Sequence, residues 1–154
     1  MYDMRTVLQR VSRAHVDVDG EIVGNVEGGV VALVAVEKGD SEDDARATAR
    51  KIASLRIFPD RTPLDLSLQD VGGAVLLVSQ FTLAGRVNKG RRPSFDRSEE
   101  PVRAEQLYRR VGWFLREEGL EVQTGRFGAH MMVELVNDGP VTILIFTKDG
   151  VVLP

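Results

Sequence analysis

Two uninterrupted apolar runs constrain this chain most: Val30-Val31-Ala32-Leu33-Val34-Ala35-Val36 and Ala74-Val75-Leu76-Leu77-Val78. Successive residues of a strand point to opposite faces, so a strand with one wet face alternates polar and apolar side chains. These runs do not alternate. They read as central strands covered by apolar layers on both faces.

The rest of the pattern supplies the layers. Arg5 to Val11 alternates in part and His15-Val16-Asp17-Val18 follows. Asp19-Gly20 then gives a hairpin turn into Glu21-Ile22-Val23-Gly24. Ser41 is an N-cap with Asp43 and Asp44 in the first turn of a helix. Ala45, Ala49, Ile52, Ala53 and Arg56 keep helical spacing, and Phe58-Pro59 ends the element. A second helix is predicted over about Pro101 to Glu118, with Leu107, Val111, Phe114 and Leu115 as its apolar face and Gly119 as C-cap. Leu120-Glu121-Val122, Met131 to Val136 and Val141 to Thr147 complete the strands. Met1-Tyr2-Asp3 reads as an extension outside the fold. The expectation is one domain over residues 1–154, α+β in class, with a curved, mostly antiparallel sheet or barrel flanked by two main helices. No glycine-rich loop joins a strand to a helix, which disfavours a doubly wound nucleotide fold.

Composition removes several chemistries. There is no cysteine, so thiol nucleophiles and thiolate metal sites are excluded. His15 and His130 are the two imidazoles, too few for a multi-histidine metal centre. No cofactor or metal is expected. No signal-like segment and no run near 18 apolar residues is present, so no membrane contact and a cytoplasmic location are the expectations. The net charge of −3 argues against a generic polyanion binder. Yet Arg86, Lys89, Arg91, Arg92 and Arg97 fall within twelve residues that hold one acid, Asp96. That cluster is either a solvated loop or a local phosphate-contacting patch.

Three segments could carry chemistry. Ser79-Gln80-Phe81-Thr82 lies where a buried strand gives way to the basic loop, a place for hydroxyls and backbone N–H groups to meet a substrate. The plainer reading is a strand end whose hydroxyls cap local backbone. Neither histidine has triad context. A hydrolase built on this segment would therefore depend on oxyanion stabilisation and positioning. In Thr124-Gly125-Arg126-Phe127-Gly128-Ala129, Phe127 offers either a ring for a base or a core plug. Trp113, Tyr108 and Phe114 fit core or subunit contacts. Within Asn137-Asp138-Gly139-Pro140-Val141-Thr142, Gly139-Pro140 is a stiff unit whose neighbouring carbonyls can face a ligand, or an ordinary turn with a trans bond.

Four blocks in register make the chain resemble the D-aminoacyl-tRNA deacylase (D-tyrosyl-tRNA deacylase) family. They are Met4-Arg5-Thr6-Val7-Leu8-Gln9-Arg10-Val11, then Leu76-Leu77-Val78-Ser79-Gln80-Phe81-Thr82-Leu83, then Lys89-Gly90-Arg91-Arg92-Pro93-Ser94-Phe95. The last runs from Thr124 through Ala129 to Asn137-Asp138-Gly139-Pro140-Val141-Thr142. The resemblance implies hydrolysis of D-aminoacyl-tRNA by a homodimer with its site at the subunit interface. It implies a cis Gly139-Pro140 unit, oriented by Arg10, that rejects L-aminoacyl esters while excluding achiral glycine poorly, so mischarged Gly-tRNA(Ala) is an expected second substrate. Ser79, Gln80, Phe81 and Thr82 would line the reaction centre, with the Phe81 and Thr82 N–H groups as oxyanion donors. Water assisted by the terminal 2′-hydroxyl, or Thr82 as covalent nucleophile, would attack. Phe127, Gly128, Ala129 and Met131 would receive the terminal adenosine, and Arg86, Lys89, Arg91 and Arg92 the tRNA backbone. Residues 84–88 depart from the family's usual loop, which is richer in lysine. A tRNA-end binding module without catalysis, and a small-ester hydrolase using Thr82 or Ser79, are the competing readings.

Overall fold

A computed structural model describes residues 3–154. The order of elements is β1 (Met4–Val18), β2 (Glu21–Val26), β3 (Gly29–Ala35), α1 (Glu42–Ser54), β4 (Arg56–Phe58), β5 (Leu66–Ser67), α2 (Leu68–Val71) and β6 (Ala74–Ser79). A 3-10 turn (Phe81–Ala84), α3 (Pro101–Glu117), β7 (Glu121–Thr124), β8 (Met132–Lys148) and β9 (Val151–Val152) follow. The main sheet runs β7-β6-β3-β1-β8-β9, with β2 also paired to β1. Its β1 pairs and the β8–β9 pair are antiparallel, whereas β3–β6 and β6–β7 are parallel. Parallel neighbours need long crossovers. Here those crossovers carry α1 and α3, so both main helices cover one face of the sheet.

The two apolar runs become β3 and β6, side by side at the centre. Val30, Ala32, Val34, Val75 and Leu77 point into the helical layer with Ile52, Leu107, Val111 and Leu115. Val31, Leu76 and Val78 point the other way, against Val16, Val18 and Val26 from β1 and β2. The second layer exists because the sheet curls over itself. β2 comes so close to β7 that a Cβ on Gly24 would stand 2.4 Å from the Thr124 carbonyl oxygen. Only hydrogen at that position permits the closure.

Local chemistry accounts for the ends of elements. Ser41 and Asp44 form a reciprocal capping box on α1, and the Glu100 carboxylate caps α3 with Pro101 following. Asp19 and Gly20 both take positive φ, 51° and 81°, as a two-residue hairpin turn needs. Asp149 and Gly150 repeat this geometry at 52° and 77°, closing the β8–β9 hairpin.

Several expectations are corrected. α1 ends at Ser54, and Arg56–Phe58 forms a strand against β5 instead of extending the helix. Met132–Lys148 is one 17-residue strand through the Gly-Pro step, where two strands, Met131 to Val136 and Val141 to Thr147, were expected. Glu118 is the C-cap of α3, and Gly119, with φ of 85°, lies one position beyond. Asp3 is buried within the fold and accepts from Arg5 Nε at 2.9 Å, whereas Met1 and Tyr2 lie outside the described residues. Tyr108 and Phe114 are buried in the core, as the core reading of these rings expected, and Trp113 is half exposed.

Buried acids brace the segment between β3 and α1. Glu37 is fully buried, with Arg5 Nε 2.8 Å from its carboxylate, and Asp40 Oδ2 accepts from the Glu37 amide at 2.7 Å. Burial pushes the Asp40 carboxyl up from its ordinary range to about 7 and raises Glu37 in the same direction. A carboxyl whose folded pKa is raised stabilises the fold most below its unfolded pKa, and that stabilisation is lost as pH climbs toward the folded value. Asp40 should therefore withdraw stability between about pH 4 and 7. Thermal unfolding is expected to show Tm falling by roughly 5 °C between pH 5 and 8. Asp40→Asn, which keeps an acceptor for the Glu37 amide, should flatten that slope.

Candidate functional site

The buried strand β6 leaves the ladder at Ser79. Gln80 still donates its amide to Val34 O at 2.8 Å, and the chain then tightens into the 3-10 turn Phe81–Ala84. The Phe81 and Thr82 N–H groups are the first of that turn, where the helical pattern provides no acceptor of its own. Both residues are exposed, and the Gln80 side-chain amide donates to Thr82 Oγ1. The Phe81 ring meets Phe95 edge-on at 5.2 Å, which joins the turn to the far arm of the basic loop.

Ser79 has the same strand parity as Val75 and Leu77 and so faces the helical side, where a cavity of about 300 Å³ opens. Its wall is largely apolar, with Val34, Phe81, Pro101, Ala104, Tyr108 and Phe127 among its residues. The segment leading into α3 forms one side. It is fixed by Lys38 N donating to Arg97 O at 2.8 Å and by Glu99 N donating to Val36 O at 3.1 Å. Tyr108 Oη donates to Leu77 O at 2.7 Å, and burial raises its phenol, so it stays a protonated donor. Neither imidazole lines this cavity. His15 instead stands 3.3 Å from Glu134 on the β1–β8 ladder, and His130 is exposed.

The expected adenosine set divides. Phe127 and Gly128 line the cavity, with the Phe127 ring 5.8 Å from Tyr108. Ala129 and Met131 pack against the opposite apolar cluster, beside Val16 and Val26. Arg86, Lys89, Arg91 and Arg92 are all exposed on a loop whose ends pair through reciprocal Arg86 and Ser94 backbone bonds of 2.8 Å.

The Gly-Pro unit is built by a mismatch of register. Gln9 pairs with Thr142 and Val11 with Asn137, so Asp138 to Val141 stand opposite Arg10 alone and are pushed out of the ladder. Arg10 is 8% exposed. It donates from Nε to Asp138 O at 2.8 Å and from Nη1 to Ile57 O at 2.7 Å. The Gly139-Pro140 bond is cis, and both residues are exposed. Sequence reasoning missed Asn137, whose Oδ1 accepts from Val141 N at 3.0 Å and whose Nδ2 donates to Thr142 Oγ1 at 2.9 Å. An Asn two residues before a Gly-Pro was the available signal, since Asn readily bonds local backbone.

Within one chain the Gly-Pro unit and the Ser79 cavity are not brought together. Three strand spacings separate β8 from β6, about 14 Å. Arg10 pairs with Val30 but Ser79 with Val34, a further offset of four residues, about 13 Å.

The model of the family described as D-Tyr-tRNA(Tyr) deacylase matches residues 7–146. The chain belongs to that family. It is 57% identical over 143 residues to a D-aminoacyl-tRNA deacylase of Symbiobacterium thermophilum, covering 92% of this chain and 95% of that one. It is 51% identical over 146 residues to one of Halalkalibacterium halodurans, covering 94% and 100%. Among solved structures, a c-Myc DNA unwinding element binding protein superposes with a TM-score of 0.87 at 36% identity, over 94% of this chain and 99% of that one. A probable eukaryotic D-amino acid tRNA deacylase shares the fold, with a TM-score of 0.83 at 20% identity over 94% and 100%.

Arg10→Ala would leave the Asp138 and Ile57 carbonyls without their charged donor. It is expected to lower the unfolding free energy by about 2–3 kcal/mol in a urea titration. Arg10→Lys should recover only part, because one ammonium cannot reproduce the spaced Nε and Nη1 donors.

Proposed function

We propose that the chain hydrolyses the ester of D-aminoacyl-tRNA, releasing the D-amino acid and tRNA. The observation that carries this reading is the strand end at Ser79. The Phe81 and Thr82 N–H groups open the 3-10 turn without a helical acceptor, and Ser79 and Phe81 line an apolar cavity that has no histidine in its wall. Such an arrangement can stabilise a tetrahedral oxyanion without activating a side-chain nucleophile. Water assisted by the 2′-hydroxyl of the terminal adenosine is the attacking species in this reading. Phe127 and Gly128 receive the adenosine, and the exposed arginines of the basic loop contact the tRNA backbone.

The Gly139-Pro140 unit acts in a second copy's site. Support comes from β8, where Met132, Val133, Val136 and Leu144 are left 63, 37, 38 and 59% exposed around that unit. Apolar exposure so concentrated on one strand fits burial against another subunit. In the dimer the Gly-Pro carbonyls face the substrate's α-carbon and reject an L-aminoacyl group by collision. Glycine has no side chain to reject, so Gly-tRNA(Ala) is a second substrate. The reaction belongs in the cytoplasm, where aminoacyl-tRNA is used.

Incubation with D-Tyr-tRNA and L-Tyr-tRNA tests the reading directly. Loss of the D ester alone is expected, and binding without turnover would defeat it. Thr82→Ala should keep activity within about tenfold, because backbone donors remain; a trapped acyl-enzyme would instead make Thr82 the nucleophile.

Gly139 has φ of 144°, and an added Cβ would stand 2.8 Å from both Val141 N and Val141 Cγ2. Gly139→Ala should therefore displace the neighbouring carbonyls and lower kcat/KM for the D ester on the order of 10²-fold. Gel filtration and circular dichroism would confirm that the variant remains folded.

A further inference from the structure

The wall that Tyr108 and Phe127 give the cavity has a second side. There a cleft of about 360 Å³ lies between α3 and the sheet-edge strand β7, shared by the same two rings. Arg109, Arg116, Arg126 and Trp113 line it, with Glu105 as its one acid. Positive charge gathered in a cleft of a chain with net charge −3 points to an anionic ligand.

The arginines keep donors available. Glu105 accepts from Arg109 Nε at 3.1 Å and Nη2 at 2.7 Å, and Arg116 Nη2 donates to Val122 O at 3.2 Å. Each guanidinium carries five N–H donors in a planar fork, so these bonds hold the groups in place without exhausting them. Arg126 is exposed on the same turn as Phe127. Trp113, 45% exposed with Arg110 4.4 Å above its ring, adds an aromatic surface.

Gly112 supplies an independent observation. It lies well inside the 17-residue α3, where glycine weakens a helix. Packing does not require it there: an added Cβ would be 3.4 Å from Leu77 Cδ2 and 3.8 Å from Arg116 Nη1, both ordinary contacts. What glycine does at this position is leave the cleft open, since Gly112 is part of its lining.

We propose that this cleft is the subsite for the nucleotide immediately preceding the terminal adenosine, with its connecting phosphodiester held by Arg109, Arg116 and Arg126. The inference rests on the reading that the adenosine occupies the adjoining cavity. A strand entering that cavity across the Tyr108–Phe127 wall would set its connecting phosphate among the arginines and its preceding base near Trp113. A basic groove with an aromatic platform is a general solution for single-stranded nucleic acid.

The test compares wild type with Arg109→Gln/Arg126→Gln on three D-tyrosyl esters: tRNA, adenosine 5′-monophosphate and adenosine. Both side chains are exposed, so the variant should fold normally. On the tRNA and 5′-phosphate esters KM is expected to rise about tenfold with kcat within twofold. The adenosine ester, lacking the phosphate, should be processed equally by both proteins. The slope of log kcat/KM against log salt for the tRNA ester should become shallower by about 1–2 in the variant. Equal losses on all three esters, no loss on any, or a loss confined to full tRNA would overturn the subsite. Failure of wild type to hydrolyse any D ester would instead defeat the underlying functional reading.

Discussion

Burial of β3 and β6 on both faces is the constraint from which the rest follows. One face receives α1 and α3; the other is covered only because β1 and β2 curl over it. The helices must occupy the parallel crossovers, and the curl requires the close approach at Gly24. Strand parity then puts Ser79 on the helical side, where the start of α3 and the Phe127 turn leave a cavity beside it. The candidate site is thus a consequence of how the two apolar runs are covered.

Two buried charges hold segments that the sheet itself does not. Arg10 joins Asp138 O to Ile57 O, tying the expelled Gly-Pro unit to the strand after α1. Glu37, beside Arg5, sits where β3 leaves the sheet and the loop before α3 is bonded alongside. Burying an isolated charge is expensive unless it is paired or hydrogen-bonded. These two are retained where backbone carbonyls or an opposite charge meet them. In the proposed reaction they serve different tasks, Arg10 the selecting carbonyls and Glu37 the wall of the cavity.

Much of this was legible from local chemistry. Asp19-Gly20 determines a tight turn through the positive φ of both residues, and Ser41 with Asp44 begins a helix by satisfying its first amides. The Asp149-Gly150 turn uses the same chemistry but joins a strand of only two residues, too short to show a period. The continuity of β8 was hidden because a Gly-Pro step reads as a break. In the fold, pairing with β1 resumes on either side of the bulge. The division of Phe127 and Gly128 from Ala129 and Met131 was equally hidden, since adjacent residues around a turn can face opposite layers.

By itself the sequence determined which runs are buried, where helices begin, which turns are tight, and, through four blocks in register, the family. Those properties rest on side-chain volume, backbone conformation and the hydrogen bonds of near neighbours. Tertiary structure alone decided that Arg10 faces Asp138 and Ile57, that Ser79 opens on a cavity, and that the Gly-Pro unit lies apart from that cavity. Each depends on strand register and on the curl of the sheet. Register sums contacts between residues far apart in the chain, such as Val34 with Ser79 and Gln9 with Thr142, and no local pattern carries that information.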